Sequence, residues 1–374
     1  MGSVMQDMSA QHIALVFHDF STGGSERIAI RLGNAWARAG RKVTIYCGTE
    51  EGSARSLVGP GVDVVACVPP IRRGLTSRIK LGWKLGPILK SVSPQILFAP
   101  GNFHLPVLAI LGRRMGLNRP PIICKLSNPL LPGGLPVWLS ACLAKPLQSI
   151  LSVVDQWTAM SSLLASDAAR IIGDRPLVTI PEPVLDSSRR LPQRSFGPDR
   201  IRYILAVGRL EAQKDFGLAL RAFAELSPLT RSRLIILGEG PDRKKLIRMA
   251  RQLGIADRVE FPGYVSNVQE WLERADLFLM TSHFEGFPAV LVEARAAGLP
   301  IVSTDCSVAL PEIISSVCHG EIVSGREPAL IGNAIGRWLD AKGDDRQSRC
   351  TGTEAFVMGN VAPLWLKLFD GIAS

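Results

Sequence analysis

Thr281-Ser-His-Phe-Glu-Gly-Phe-Pro-Ala-Val-Leu-Val-Glu-Ala-Arg-Ala-Ala-Gly-Leu-Pro300 leaves one apolar run, turns sharply and climbs towards another. Leu277-Phe-Leu-Met280 before it reads as a buried strand and Glu285-Gly-Phe-Pro288 as a turn. A helix follows over 289–297, with Pro288 at its mouth and Gly298 as its C-terminal stop. The β-branched run Ile301-Val-Ser-Thr304 then begins a new strand, so the segment is a βαβ unit of a parallel sheet. The first amides of such a helix point at any anion lying off its end. Pro288 has no N–H, which leaves those of Ala289 and Val290 to receive a phosphate. Glu285 precedes the helix and Glu293 lies about two turns inside it. Carboxylates accept hydrogen bonds from sugar hydroxyls, so the pair suits a sugar nucleotide better than a bare phosphate. The competing reading is a pair of solvent-facing glutamates on an ordinary helix.

The block Glu285-Gly-Phe-Pro-Ala-Val-Leu-Val-Glu293 resembles the E-G-F-P-x4-E form of the signature of retaining glycosyltransferase family 4. A second block, Tyr203-Ile-Leu-Ala-Val-Gly-Arg-Leu-Glu-Ala-Gln-Lys-Asp-Phe-Gly217, is similar to that family's strand followed by G-R-L-x-x-x-K. Gly23-Gly-Ser-Glu-Arg27 resembles its N-terminal G-G-x-E-R. The resemblance covers the whole chain and is specific from about 206 to 305. It implies a GT-B α/β fold, two Rossmann-like domains whose parallel sheets face a central cleft. It further implies that Arg209 and Lys214 clamp the donor diphosphate while Glu285 orients the sugar. Glu293, Gly286, Phe287, Pro288, Ala289 and Val290 would bind the rest of the donor, with Gly23 and Gly24 at the cleft lip. A physical reason for the clamp stands apart from the family: a departing nucleoside diphosphate gains charge that cations and helix ends can meet.

Two departures from the family pattern bear on specificity. Many relatives carry a histidine at the end of a first-domain strand, where this chain has Ser127-Asn128. After Thr304-Asp-Cys306 the usual Gly-Gly-Pro turn is replaced by Ser-Val-Ala-Leu-Pro-Glu312.

The 374 residues suit two α/β domains, and 47% hydrophobic with 20% charged content describes a globular chain. Seven cysteines stand singly with no C-x-x-C, as small core residues in a reducing compartment would. No apolar run is long and unbroken enough to span a bilayer, and Met1–Gln11 has no signal-peptide pattern. A cytoplasmic location, peripheral to the membrane face, is the expectation. Asp-x-Asp is absent, so neither a metal nor any other cofactor is expected, the nucleotide sugar being a substrate.

The net charge of +10 is concentrated: between Val64 and Val154 lie eleven of the 43 bases and none of the 33 acids. Inside that basic segment, 71–90 mixes Arg72, Arg73, Arg78, Lys80, Lys84 and Lys90 with Trp83 and aliphatics at near-helical spacing. An anionic membrane surface is one partner this fits; a plain solvated face and an acidic soluble partner are the others. Gly82 and Gly86 weaken the helix. Aromatic interleaving of the kind that stacks on bases is missing, which argues against nucleic acid.

His12–Phe17 is an apolar strand leading to a glycine turn and an amphipathic helix ending at Arg38, a first Rossmann-like unit. Strands at 94–100 and 122–127 bring His104 and Asn128 to strand mouths, where α/β folds place ligands. With His18 these are candidate sugar or acceptor contacts, or simply strand terminators. The expected organisation is an acceptor-binding domain over 1–185, a linker over 186–200 rich in Ser, Arg and Pro, a nucleotide-sugar domain over 201–355, and a closing helix over 356–374 that crosses back to the first domain.

The function this implies is metal-independent, retaining transfer of a hexose from a nucleotide sugar, UDP first among them, to a hydroxyl. A lipid-linked glycan or lipid of cell-envelope or exopolysaccharide synthesis is the expected acceptor. The alternative is a non-catalytic GT-B subunit that binds a partner transferase or a glycan.

Overall fold

Short runs that are apolar at nearly every position, rather than at every second one, belong to strands covered on both faces. In β1 (His12–Phe17) all residues from Ile13 onward are fully buried. The computed structural model describes residues 9–21, 24–130, 148–186, 200–227, 230–340, 349 and 351–374. It separates into two units, 1–186 together with 355–374, and 187–354.

In the first unit β1 is joined by β2 (Lys42–Cys47), β3 (Val62–Ala66), β4 (Ile96–Ala99), β5 (Ile122–Leu126), β6 (Gln156–Ala159) and β7 (Leu177–Thr179). They lie side by side as β3-β2-β1-β4-β5-β6-β7, and every pairing is parallel. The second unit holds β8 (Arg202–Val207), β9 (Ser232–Leu237), β10 (Val259–Gly263), β11 (Leu277–Met280), β12 (Ile301–Thr304) and β13 (Gly320–Val323) in the order β10-β9-β8-β11-β12-β13, again all parallel. Sequence order reverses between β1 and β4 in one sheet and between β8 and β11 in the other. Neighbouring loops leave such a point in opposite directions and open a crevice at the strands' carboxyl ends. Both candidate clusters lie there.

The first helix, α1 (Gly24–Arg38), buries Ile28, Ile30, Leu32 and Trp36 against β1 and β2. Next come α2 (Ser77–Val92) and α3 (Leu105–Met115). Contrary to the sequence reading, Gly82 and Gly86 do not interrupt α2. A Cβ on Gly82 would stand 2.8 Å from Ile110 Cβ and 3.0 Å from Val107 O, so the missing side chains let α2 lie close against α3. Strands β3 and β13 escaped the sequence reading because both are short and largely half-buried, without a full apolar signature.

In the first unit α4 (Ser162–Ile172) lies between β6 and β7, and the second unit interleaves α5 (Phe216–Ala224) and α6 (Arg243–Gln252) with its strands. There follow α7 (Val268–Arg274), α8 (Ala289–Ala296), the single turn α9 (Leu310–Ile313) and α10 (Pro328–Asp340). The chain's last helix, α11 (Met358–Ala373), belongs to the first unit. Its Trp365 and Phe369 are buried beside Trp36 and Phe98, with ring centroids 5.0 Å apart for both Trp36–Phe369 and Phe98–Trp365. Leu185 is tied to the start of this helix by its amide to Phe356 O at 3.0 Å and by Met358 N to Leu185 O at 2.7 Å. Most of the linker expected over 186–200 lies outside the described residues.

Candidate functional site

β8 ends at Val207 and the chain passes at once through Gly208 and Arg209 to a single 3₁₀ turn, Ala212–Lys214. A Cβ on Gly208 would meet the Lys214 side chain at 3.2 Å, so the glycine clears the path along which the lysine stem lies back over its own strand end. Lys214 Nζ reaches Glu285 Oε1 at 2.5 Å, with the two side chains only 20% and 11% exposed. The same oxygen accepts from Ser282 Oγ at 2.6 Å, and the Glu285 amide donates to Cys306 O at 2.6 Å. Residues 71 apart in sequence therefore form one charged, hydrogen-bonded centre, and Nζ has further protons to offer an anion.

Asp215 stitches the two loops together. It sits in the left-handed region (φ 42°), strained for a residue with a Cβ, and its carboxylate caps α5 through the Leu218 amide at 3.1 Å. Arg326 pairs with its Oδ2 at 2.7 Å and also donates to the carbonyls of Thr281 and Ser282 at 2.8 and 2.9 Å. Thr281 Oγ1 donates to Asp215 O at 2.9 Å, His283 N to Gln213 O at 2.8 Å, and Gln213 Nε2 to Phe284 O at 2.9 Å. Ser307 Oγ donates to Gly286 O at 2.6 Å and fixes the far side of the turn. Cys306 lies beside Glu285, and burial above all and then the charge of Glu285 push its thiol up to about 11.

Of the sequence-derived residues, Lys214, Glu285, Gly286, Phe287, Pro288, Ala289 and Val290 share this one loop system. The helix end differs from expectation in one respect. The Ala289 amide already donates to Phe287 O at 2.9 Å and Leu291 N to Pro288 O at 2.9 Å, which leaves Val290 as the amide available there. Glu293 is half-buried on α8. Arg209 is not drawn into the centre: 71% of its side chain is exposed and its carboxylate neighbour is Glu211 at 2.8 Å. Ser282, Asp215, Ser307 and Arg326 were missed. Only Asp215, beside Lys214 at the start of an apolar-periodic helix, carries a signal in sequence, that of an N-cap.

In the first unit His18 follows β1 and His104 ends the short turn after β4. Both are 1% exposed. Asp19 accepts from Arg73 Nε at 2.5 Å and Nη2 at 3.0 Å, and from the Ser21 amide at 2.8 Å. Although burial pushes the other way, these bonds hold its carboxyl well below the usual carboxylate range. Asn128 serves its loop, with its amide and carbonyl both bonded to the Asn102 side chain at 3.2 and 3.0 Å. Gly24 is the exposed first residue of α1 with open space where a Cβ would stand, and Gly23 lies outside the described residues. Sequence reasoning also passed over Lys125, a buried base in an apolar strand whose Nζ lies 2.7 and 2.8 Å from the oxygens of buried Glu182. Among the described residues no helix is long and apolar enough to cross a membrane.

Two family models match the chain: residues 22–186 fit the one described as Glycosyltransferase Family 4, and residues 188–352 the one described as Glycosyl transferases group 1. Over 104 residues, 28% of this chain and 28% of the relative, the sequence is 36% identical to an N-acetylgalactosamine-N,N'-diacetylbacillosaminyl-diphospho-undecaprenol 4-alpha-N-acetylgalactosaminyltransferase of Campylobacter jejuni. It is 31% identical over 212 residues to D-inositol 3-phosphate glycosyltransferase 2 of Catenulispora acidiphila, covering 51% of this chain and 49% of that one. The chain thus spans about half or less of the length of these relatives. Among solved structures, Anabaena Alr3699/HepE in complex with UDP and glucose aligns with a TM-score of 0.75 over 96% of this chain and 99% of that one. At 17% identity that is a likeness of fold.

Proposed function

Because the chain belongs to glycosyltransferase family 4 and has its GT-B fold, we propose that it moves a hexose from a nucleotide sugar, UDP first among the bases, to a hydroxyl of a lipid-linked glycan. The observation that carries this reading is the Lys214–Glu285 contact of 2.5 Å at the β8/β11 reversal, beside the free end of α8. A lysine with protons left to donate near a helix N-terminus suits a diphosphate, and a carboxylate locked by Lys214 and Ser282 suits sugar hydroxyls. HepE, with UDP and glucose bound, supports the donor, and the undecaprenol-linked Campylobacter relative supports the acceptor.

The reaction runs with retention on one face of the sugar. The bond from the anomeric carbon to the diphosphate oxygen breaks as that from the acceptor oxygen forms, and the acceptor's proton passes to the departing oxygen. Lys214 and the Val290 amide stabilise the charge that grows on the diphosphate, while Glu285 holds the sugar and Glu293 the ribose. Arg209, 71% exposed beside Glu211, turns from that partner to the phosphates. No metal and no further cofactor takes part.

Thermal shift with UDP, GDP, ADP and UDP-sugars tests this in the wild type and in Lys214→Ala. A UDP-selective rise in Tm, lost in the variant together with a fall of about 10²-fold or more in kcat, is the expected result. A wild type indifferent to every nucleotide overturns it.

A further inference from the structure

Arg326 stands outside both loops that carry Lys214 and Glu285, yet it is bonded to each. It follows the edge strand β13, with β12 between that strand and β11, and Gly325 at φ 145° turns the chain just before it. Its Nη2 donates to Asp215 Oδ2 at 2.7 Å and to Thr281 O at 2.8 Å, and its Nη1 to Ser282 O at 2.9 Å. A planar guanidinium has fixed N–H directions, so it serves two loops at once only while they keep one relative position. Among the described residues its hydrogen bonds go to these three groups and to neither Lys214 nor Glu285.

Two paths lead from Arg326 to the charged pair. Asp215 follows Lys214 directly, and its left-handed backbone (φ 42°) is a conformation that persists only where the surroundings over-determine it. Its carboxylate is held in that way. Oδ1 accepts from the Leu218 amide at 3.1 Å and Oδ2 from Arg326, whereas its other basic neighbours, His283 and Arg221, stand farther off at 3.4 and 4.0 Å. The point from which the Lys214 stem departs is thus fixed by the residue beside it. Ser282 carries the second path. Its carbonyl accepts from Arg326 and, at 2.9 Å, from Thr304 Oγ1, while its hydroxyl donates to Glu285 Oε1, the oxygen that Lys214 also reaches. The loops share bonds of their own, from Thr281 Oγ1 to Asp215 O and from Gln213 Nε2 to Phe284 O, both at 2.9 Å. To these neutral bonds Arg326 adds charge-assisted ones, which are stronger, from a third element.

We propose that Arg326 is a positioning residue for sugar transfer, holding the Lys214 ammonium and the Glu285 carboxylate at their working spacing through Asp215 and Ser282 and touching neither donor nor reacting atoms. This rests on the sugar-transfer reading above. Without Arg326 the groups that meet the diphosphate are still present, so the donor still binds. Their spacing is looser, and a misplacement of about 1 Å costs about 10²-fold in rate.

The test follows UDP release by the full chain from UDP-glucose, UDP-galactose, UDP-N-acetylglucosamine and UDP-N-acetylgalactosamine, with water as the acceptor. On whichever donor the wild type turns over, Arg326→Gln should lower kcat about 10²-fold, hold KM within about threefold and keep the UDP-induced rise in Tm. Arg326→Lys, which keeps the charge on a single nitrogen, should regain about tenfold of that loss. In a Ser282→Ala background the Ser282 path is already cut, so Arg326→Gln should cost less than about tenfold there. Should Arg326→Gln not fold, Arg326→Lys carries the test, with kcat lowered about tenfold at unchanged KM. The assignment is overturned by an unchanged kcat, by a loss that falls on KM instead, or by an equal cost with and without the Ser282 hydroxyl. A wild type that releases UDP from none of the four donors sinks the sugar-transfer reading and this inference with it. Release that the Arg326 variants match sinks this inference alone.

Discussion

Lys125 and Glu182 show how much a single buried pair decides. Their side chains are 1% and 7% exposed, and Nζ contacts both carboxylate oxygens. Removing one partner strands the other charge in the interior, at about 3–5 kcal/mol. Lys125→Met should therefore lower stability by that amount in urea denaturation, and Lys125→Met with Glu182→Leu should restore most of it. Equal losses for the single and double variants would show that the pair is not the reason for the cost. His104 adds a pH dependence of predictable sign. Burial depresses its pKa from 6.5 to about 4, so between those values the unfolded chain binds a proton that the folded chain does not. Stability falls as pH drops through that window, and His104→Gln should flatten this part of a Tm-against-pH curve, with His18 contributing to the slope that remains.

At the scale of elements α2 stands apart. Leu81, Leu85 and Leu89 are buried, whereas Ile79, Lys80, Trp83, Lys84 and Lys90 face outward, and Leu75 just before the helix is fully exposed. Arg114 of α3 lies 4.0 Å over the Trp83 ring and adds a cation to the same face. Apolar side chains inserted among bases match an anionic bilayer, where each base contributes about 1 kcal/mol near the surface. The expectation is co-sedimentation with phosphatidylglycerol-rich vesicles at low salt, weakening as salt rises and lost in Lys80→Glu/Lys84→Glu. Undiminished binding by that variant would remove α2 from the membrane reading. The loops around Lys214 and Glu285 show the opposite arrangement, in which the hydrogen bonds of Asp215 and Arg326 hold two loops in place.

For the whole molecule the governing fact is that α11 is far from β1 in sequence and inside its core in space. Trp36, Phe98, Trp365 and Phe369 form one aromatic cluster drawn from α1, β4 and α11. Trp365→Ala should cost about 3–5 kcal/mol in the unit that holds 1–186 and 355–374. It should leave the UDP-induced thermal shift of the proposed function in place, because the loops around Lys214 and Glu285 belong to the other unit. Loss of that shift together with the aromatic cluster would refute this division of labour.

Local signals decided what could be read before folding. An apolar run, the Glu-Gly-Phe-Pro turn and Gly298 delimit β11, the loop and α8 because strand burial, turn chemistry and helix stops act over a few residues. The alternation of such runs determined the α/β class, and the acid-free stretch located the basic surface. Gly82 and Gly86 misled because a glycine's local cost is visible in sequence and the helix it packs against is not. Tertiary structure alone decided which charges meet: Lys214 with Glu285, Asp215 with Arg326, Lys125 with Glu182. It alone decided that His18 and His104 rise from neighbouring strands with their Nε2 atoms unmet. Such partners lie tens of residues apart, and only strand order and burial make a hydrogen bond between them worth its entropy.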